Sequence, residues 1–160
     1  MGKDIEKTNV MRILDQKDIR YNSYTYNSSD ALSGVEVADI LQKDPDRVFK
    51  TLVTVGRSGE HYVFVIPVAQ ELDLKKAAEA VSEKSIEMVK SKELLPLTGY
   101  IHGGCSPIGM KKFFTTKIDE TAILFDTILF SAGKIGFQVE VSLDDLSKAI
   151  SYTLEDLTVN

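Results

Sequence analysis

The chain contains, at positions 48–55, the run Val48-Phe49-Lys50-Thr51-Leu52-Val53-Thr54-Val55. Because β-branched and aromatic residues fill this run, it predicts a strand buried within a sheet. Alternation along a strand places Lys50 on the face that also carries Val48 and Leu52, and it places Thr51 on the opposite face. An ammonium group among apolar side chains is expensive to bury, so Lys50 needs an explanation.

Two explanations of Lys50 are open at this point. A lysine on an edge strand prevents one sheet from pairing with another. Alternatively, the ammonium group meets a strongly polar or anionic partner inside a binding site. The strand alone favours neither reading over the other.

A glycine-rich loop lies far from this strand in the sequence, at Gly103-Gly104-Cys105-Ser106-Pro107-Ile108-Gly109. Three glycines and a proline in seven residues exclude a helix or a central strand. Such a loop can point several backbone N–H groups at one place, which suits a phosphate or a developing oxyanion. An ordinary wide turn is the simpler reading of the loop taken alone. The glycine spacing fits neither a Walker A loop nor a dinucleotide-binding fingerprint.

Composition predicts one globular domain spanning residues 1–160, because 43% of the residues are hydrophobic and the chain contains no linker or repeat. No stretch approaches the length of a membrane span, and the N-terminal residues do not form a signal peptide. A single cysteine, Cys105, permits no internal disulfide. We therefore expect a cytoplasmic protein with no membrane partner.

Charge is unevenly distributed along the chain. The net charge of −5 argues against binding of DNA or RNA by charge alone. Residues 84–117, however, carry six lysines against Glu87 and Glu93, a net of +4. This basic segment flanks the glycine-rich loop and could receive the end of an RNA strand, although a solvated surface with a chance charge excess would look the same.

Periodicity and capping signals predict an irregular mixture of helices and strands. Helices are expected from residues 4–8 to 17, and at 33–42, 73–81, 91–95 and from 142 onward. Strands are expected at 19–26, 48–55, 61–67, 86–89, 113–115, 127–131 and 137–141. Because several strands form hairpins, these elements predict a single α/β domain with a mixed central β-sheet and flanking helices, not a doubly wound parallel sheet.

Motifs for common hydrolytic and metal-dependent chemistry are missing. There is no Ser-His-Asp arrangement and no Gly-x-Ser-x-Gly elbow. The soft metal ligands are His61, His102 and Cys105, whose spacing matches no zinc motif, so neither a metal nor a cofactor is expected. A nucleophilic dyad of Cys105 and His102 is conceivable, but a small residue filling the loop is the better reading of Cys105.

Six sequence blocks in order resemble the YbaK/EbsC family of aminoacyl-tRNA deacylases, which are relatives of the editing domain of bacterial prolyl-tRNA synthetase. The resemblance covers about residues 8–157. It is carried by residues 24–26, 48–52, 67–76, 98–100, 103–109 and 131–136. It implies the same mixed α/β fold.

The resemblance implies a trans-editing enzyme that cleaves the ester between a misattached amino acid and the tRNA 3′ end, most plausibly in Cys-tRNA(Pro). The residues implied for the site are Lys50, Tyr26, Gly104, Ser106, Gly109, Ser131 and Gly133. Prolyl-tRNA synthetase is the expected protein partner. No catalytic cysteine and no cofactor are implied.

Two residues depart from the family pattern near the implied site. Ala132 replaces the middle glycine of a Ser-Gly-Gly sequence, and Gln138 stands where the best-known members have an aspartate. Because glutamine does not ionise, any role that needs a carboxylate there is lost. Two alternatives therefore stay open: an Ala-tRNA(Pro) deacylase, and a module that binds the tRNA end or serves a regulatory role without turnover.

Overall fold

The computed structural model describes residues 6–27 and 32–159. Its α-helices are α1 (Asn9–Gln16), α2 (Gly34–Ile40), α3 (Leu74–Ala80), α4 (Ser91–Thr98) and α5 (Leu143–Leu146), and a 3₁₀ helix spans Glu120–Leu124. Its strands are β1 (Asn22–Thr25), β2 (Phe49–Gly56), β3 (His61–Pro67), β4 (Ile86–Met88), β5 (Thr115–Asp119), β6 (Ile128–Ser131), β7 (Phe137–Val141) and β8 (Thr153–Glu155).

The strands form two sheets that meet at one point. The first sheet has the order β4-β2-β3-β5-β8 and the second has the order β1-β7-β6. Pairing is parallel between β3 and β5 and between β5 and β8, and antiparallel in the other pairs. An isolated parallel bridge between Val48 and Leu129 joins the two sheets. The predicted single α/β domain with a mixed sheet is confirmed, and the structure adds that the sheet is divided.

The helices begin where the sequence signals placed them. Ser33 and Glu36 form a complete capping box at the start of α2, with both reciprocal hydrogen bonds present. Asp73 accepts hydrogen bonds from the first-turn amides of α3, and Ser142 does the same for α5. Thr8 caps α1 in the same way. These caps fix the entry of the chain into each helix.

Four elements differ from the sequence prediction. The predicted strand at 113–115 is wrong except for its last residue, because β5 begins at Thr115 and Phe113 is 81% exposed. Helix α4 continues beyond Leu95 to Thr98 with Pro96 inside it. Strand β8 and the 3₁₀ helix were not expected, since elements of three and five residues are too short to give a clear periodic signal.

The main hydrophobic core lies between α1 and one face of both sheets. Val10 and Leu14 of α1 pack there with Phe49 and Val53 of β2 and with Phe130 of β6, all fully or nearly fully buried. A second cluster packs α3 against the opposite face of the larger sheet. Among the described residues, no helix combines the length and the apolar character that a membrane span requires.

A buried carboxylate, Glu140, ties the smaller sheet together on the face away from this main core. It is 7% exposed and accepts hydrogen bonds from the hydroxyls of Tyr24 at 2.6 Å and Thr127 at 2.5 Å. Arg47 donates to it at 3.1 Å, and the Asn22 amide lies at 3.5 Å. Burial alone would raise the pKa of Glu140, but the hydrogen bonds from Thr127, Tyr24 and Asn22 and the charge of Lys43 outweigh it and hold the pKa below its ordinary value of 4.5.

We expect Glu140→Gln to lower the free energy of unfolding at pH 7 by about 1–3 kcal/mol, because hydrogen bonds to a charged, buried acceptor are lost. A lowered folded-state pKa stabilises the fold above the pKa of the unfolded chain, and this contribution disappears as the pH falls through the folded-state pKa. Urea unfolding at pH 7 and at about pH 3 should therefore show the gap between wild type and variant closing in acid. The exposed Glu79→Gln is the control, and a gap independent of pH would contradict the assignment.

Candidate functional site

A cavity of about 370 Å³ opens where the two sheets separate. Beyond the bridge between Val48 and Leu129, β2 and β6 no longer pair with each other. The gap is lined by the start of β2, the end of β6, the start of β7, the N-terminal part of α2, Leu94 of α4 and residues of the glycine-rich loop. The cavity thus lies in the gap between β2 and β6, and we call this gap the seam.

Strand register places three polar residues at the same level of this seam. Ser131 of β6 lies directly opposite Gln138 of β7. Lys50 and Ser131 each lie two residues beyond the parallel bridge, so their side chains point to the same side. All three line the cavity.

Lys50 is half-buried, and at its level β2 pairs with β3 but not with β4, whose pairing covers Thr54–Gly56. The open side of β2 there borders the cavity, which Lys50 lines. Burial lowers the pKa of its amine from the ordinary 10.5, and the negative charge of Glu71 opposes this shift. Among the described residues, no carboxylate lies within ion-pair distance of the Lys50 amine. The amine is therefore available to a ligand in the cavity.

Thr51 turns its backbone toward the seam. Its neighbours on the same side of β2 show the direction: the Arg47 carbonyl accepts from Leu129 N of β6, and the Val53 carbonyl accepts from Val89 N beyond β4. In an antiparallel pair the backbone N–H and C=O groups of every second residue point to the same side of the strand. The backbone groups of Thr51 therefore also point away from β3. Its hydroxyl is buried without a hydrogen-bond partner.

Gln138 carries the second unsatisfied group of the cavity. Its side-chain oxygen is buried without a partner, and the residue is 7% exposed. Buried polar atoms are nearly always hydrogen-bonded, because each unpaired one costs free energy. Thr51 and Gln138 each carry such an atom, and both residues line the same cavity. This indicates that a ligand in the cavity completes their hydrogen bonds.

The glycine-rich loop packs tightly against the turn between β6 and β7. A Cβ atom on Gly104 would lie 3.2 Å from the backbone N of Ile135, so a side chain there would push the two segments apart. Tyr100 fills the space beneath them, and its hydroxyl donates to the Ile108 carbonyl at 2.5 Å. Gly133 has φ +93°, and a Cβ atom there would lie 2.9 Å from the Tyr100 ring. These glycines allow the loop and the turn to meet beside the cavity.

Unpaired backbone donors lie where this loop reaches the cavity. Gly103 and Cys105 line the cavity, and neither N–H donates to an acceptor in the described part of the chain. Such free N–H groups suit an oxyanion. The Cys105 thiol, by contrast, is buried, and burial raises its pKa to about 12. A thiol with so high a pKa is a poor nucleophile near neutral pH, which argues against the dyad with His102.

The structure brings together three of the seven residues predicted for the site: Lys50, Tyr26 and Ser131 all line the cavity. The other four are not among its lining residues. Gly104 and Ser106 lie buried in the loop behind it, and Gly109 and Gly133 pack around Tyr100. Sequence reasoning missed Thr51, since alternation placed it on the face opposite Lys50 and the separation of the two sheets is visible only in three dimensions.

The model of a known protein family, described as the aminoacyl-tRNA editing domain, matches residues 29–149. This chain belongs to that family. The resemblance read from the sequence blocks is therefore confirmed. The matched range begins before α2 and ends after α5, so it includes nearly every segment that lines the cavity.

Among curated proteins, the chain is 49% identical over 141 residues to an Enterococcus faecalis (strain ATCC 700802 / V583) protein named "Putative Cys-tRNA(Pro)/Cys-tRNA(Cys) deacylase EbsC". The match covers 88% of this chain and 86% of that protein. The editing-domain chain and this relative are thus similar over most of both lengths.

Solved structures share the fold at lower identity. One described as "a putative trans-editing enzyme for prolyl tRNA synthetase" has a TM-score of 0.81 and 20% identity, with 97% of this chain and 100% of that chain covered. Another, "hypothetical protein APE2540", has a TM-score of 0.82 and 19% identity, with 94% and 99% covered. The divided sheet is therefore a fold that sequences far from this one also adopt.

Thr51→Val should leave the free energy of unfolding unchanged or raise it by about 1 kcal/mol, because the substitution keeps the shape and removes a buried hydroxyl that has no partner. The matched control is Thr54→Val on the same strand. The buried Thr54 hydroxyl donates to the Tyr62 carbonyl at 3.0 Å, so this change should destabilise by about 1 kcal/mol. Equal destabilisation of both variants in urea titrations would show that Thr51 has a structural partner.

Proposed function

We propose that this editing-domain protein is a trans-acting aminoacyl-tRNA deacylase that removes cysteine from mischarged tRNA(Pro). The observation that carries the proposal is the 49% identity to the Enterococcus faecalis protein with the Cys-tRNA(Pro)/Cys-tRNA(Cys) deacylase name, across nearly the whole chain. The seam cavity supports it, since a space of about 370 Å³ is lined by a half-buried amine, by the two residues with unsatisfied polar groups, and by Gly103 and Cys105, whose backbone N–H groups have no acceptor among the described residues.

The reaction needs little covalent help from the protein. An aminoacyl ester is already activated, so the enzyme has to orient it and stabilise the carbonyl oxygen as that oxygen becomes negative. We assign this stabilisation to the backbone N–H groups of Gly103 and Cys105. Lys50 then binds the ester oxygen or the ribose by a charge-assisted hydrogen bond.

The substrate thiol serves as the nucleophile in this proposal. Its sulfur forms a bond to the carbonyl carbon, the bond from that carbon to the ribose oxygen breaks, and the thiol proton ends on the ribose hydroxyl. The tRNA leaves intact, and water then opens the resulting cyclic thioester to free cysteine. No step uses Cys105, whose raised pKa disfavours its thiolate.

Chemistry of this kind explains selectivity that a small pocket cannot supply. One methyl-sized group changes binding by only about 1–3 kcal/mol, so cysteine, alanine and serine would bind similarly. Alanine offers no nucleophile, and a hydroxyl is a weaker one than a thiol. The uncharged Gln138 is the residue whose contact with the aminoacyl group could shift this preference toward Ala-tRNA(Pro).

Recognition of tRNA(Pro) among other tRNAs is assigned to a protein partner. A domain of net charge −5 gains little from charge in binding the phosphate backbone of a whole tRNA. We propose that prolyl-tRNA synthetase presents the mischarged tRNA in the cytoplasm. A pull-down of the synthetase that requires tRNA would support this, and no association with or without tRNA would contradict it.

Purified protein should deacylate Cys-tRNA(Pro) faster than Ala-tRNA(Pro) or Ser-tRNA(Pro), as followed by loss of labelled amino acid. Lys50→Ala should abolish the reaction without changing the far-UV CD spectrum, and Lys50→Arg should impair it because a planar fork replaces a point charge. Lys75→Ala, an exposed lysine of α3, is the control. Equal or faster loss of alanine would reject the thiol mechanism, and turnover of none of the three with retained tRNA binding would identify a binding module.

Cys105→Ala should retain most of the Cys-tRNA(Pro) turnover, since the reaction uses the thiol of the substrate. The test is to compare kcat at saturating substrate and kcat/KM at limiting substrate between the wild type and the variant. A loss of about a hundredfold or more, near 2.7 kcal/mol in the barrier, would instead assign the nucleophile to Cys105.

A further inference from the structure

The cavity has one wall on the main-core side of the sheets. Phe49, Leu94 and Cys105 line the cavity and belong to the main core cluster. Thr51 alternates onto the same face of β2, because it lies between Phe49 and Val53, which are both in that cluster. We call Phe49, Thr51, Leu94 and Cys105 the core-side wall. The Thr51 hydroxyl is the strong hydrogen-bonding group among these four side chains, and its oxygen is buried without a partner.

The second unsatisfied oxygen lies on the opposite side of the seam. Val139 and Val141 of β7 belong to the main core cluster, so Gln138 between them and the turn points to the other face of that strand. Gln138 shares this face with Ser131, its register partner on β6, and with Lys50. A ligand in the seam would therefore meet one unpaired oxygen on each side, Thr51 Oγ1 and Gln138 Oε1.

An aminoacyl ester of cysteine carries a matching pair of hydrogen-bond donors. Its amino group is on the α-carbon and its thiol is on the next carbon, so the two donors can reach opposite sides of a narrow gap. A seryl ester also has two donors, the amino group and a hydroxyl, whereas an alanyl ester has the amino group alone. With alanine, one of the two buried oxygens would stay unpaired.

The chemistry of the two sides decides which donor goes where. The amino group is partly charged near neutral pH, and a charge is costly against apolar side chains. A thiol is a weak donor that packs like a small apolar group, which suits the surface that Phe49 and Leu94 provide on the core-side wall. The Cys105 N–H, to which we assign the carbonyl oxygen, belongs to the same wall. The substrate sulfur and the carbonyl that it attacks are thereby brought to one side.

We propose that Thr51 selects the aminoacyl side chain: Thr51 Oγ1 accepts a hydrogen bond from the substrate thiol, while Gln138 Oε1 accepts one from the α-amino group. The inference rests on the proposed function and names a contact within that same site. Thr51 takes no proton and forms no bond to the substrate. A site that hydrogen-bonds a substrate group disfavours an analogue without that group, because its own polar atom then stays unpaired. The contact thus adds a modest binding preference for cysteine to the selectivity of thiol attack.

Stable analogues test the contact without turnover. The probes are 3′-amino-3′-deoxyadenosine acylated with cysteine, serine or alanine, in which an amide replaces the ester. Thr51→Val should weaken binding of the cysteinyl and seryl analogues about fivefold, the value of one hydrogen bond, and should leave the alanyl analogue unchanged. Thr51→Ser, which keeps the hydroxyl, should bind like the wild type. Thr54→Val, at a hydroxyl outside the cavity lining, is the matched control and should change none of the three affinities.

A second variant tests the other half of the assignment. Gln138→Met has a similar length but no oxygen, so it removes the acceptor proposed for the amino group. Because all three analogues carry that group, Gln138→Met should weaken their binding by the same factor. Loss confined to the cysteinyl and seryl analogues in this variant would show that Gln138, and not Thr51, receives the side chain.

Turnover separates this inference from the proposed function. Thr51→Val should lower kcat/KM for Cys-tRNA(Pro) about fivefold and leave the slow loss of alanine from Ala-tRNA(Pro) unchanged. If the wild type shows the expected analogue affinities but deacylates nothing, the proposed function fails and the Thr51 contact stands.

Three results of the analogue titrations would overturn the Thr51 assignment. The first is a wild type that binds the cysteinyl and alanyl analogues equally well or binds neither. The second is an equal loss, or no loss, with all three analogues in Thr51→Val. The third is a Thr51→Ser variant that behaves like Thr51→Val, which would show that the hydroxyl is not the group in contact.

Discussion

The single bridge between Val48 and Leu129 is the constraint on which the site depends. It is held by the Leu129 N–H and the Arg47 carbonyl at 2.9 Å, and the same Arg47 reaches the buried Glu140 with its side chain. Because the two sheets touch at this point and then separate, they leave backbone and side-chain groups of β2 unpaired. If β2 and β6 stayed paired in one continuous sheet, the backbone groups of Thr51 would hydrogen-bond to β6. The gap between the two strands, and with it the cavity, would then not exist.

Close packing on the far side of the cavity keeps this opening in place. Tyr100 sits between the glycine-rich loop and the turn of β6 and β7, and the glycines at 104 and 133 allow both segments to approach it. The loop is thereby held near Lys50 and Ser131 although no strand pairing connects it to them. Rigid placement matters here, since backbone donors stabilise an oxyanion only when they are already oriented.

The polar groups that lack hydrogen-bond partners in the cavity are consistent with a protein that positions a reactive substrate. Lys50 is partly desolvated, and the polar atoms of Thr51 and Gln138 lack partners. Each of these is a cost to stability that a bound ligand can offset. The Cys105 thiol is the exception, because its burial suppresses reactivity instead of preparing it. An aminoacyl ester needs orientation more than it needs a nucleophile from the protein, and the arrangement matches that need.

The sequence by itself determined the elements and the family, while tertiary structure decided the site. Local signals were sufficient for the caps at Ser33 and Asp73 and for the strand around Lys50, because such signals act within a few residues. They failed at Phe113, where an apolar residue next to the partly buried Phe114 was assigned to a strand. Nor could alternation reveal that Thr51 borders a cavity, since the separation of β2 from β6 depends on contacts between residues about 80 positions apart. The grouping of Lys50, Ser131 and Gln138 is likewise a product of strand register, which the order of residues along the chain does not encode locally.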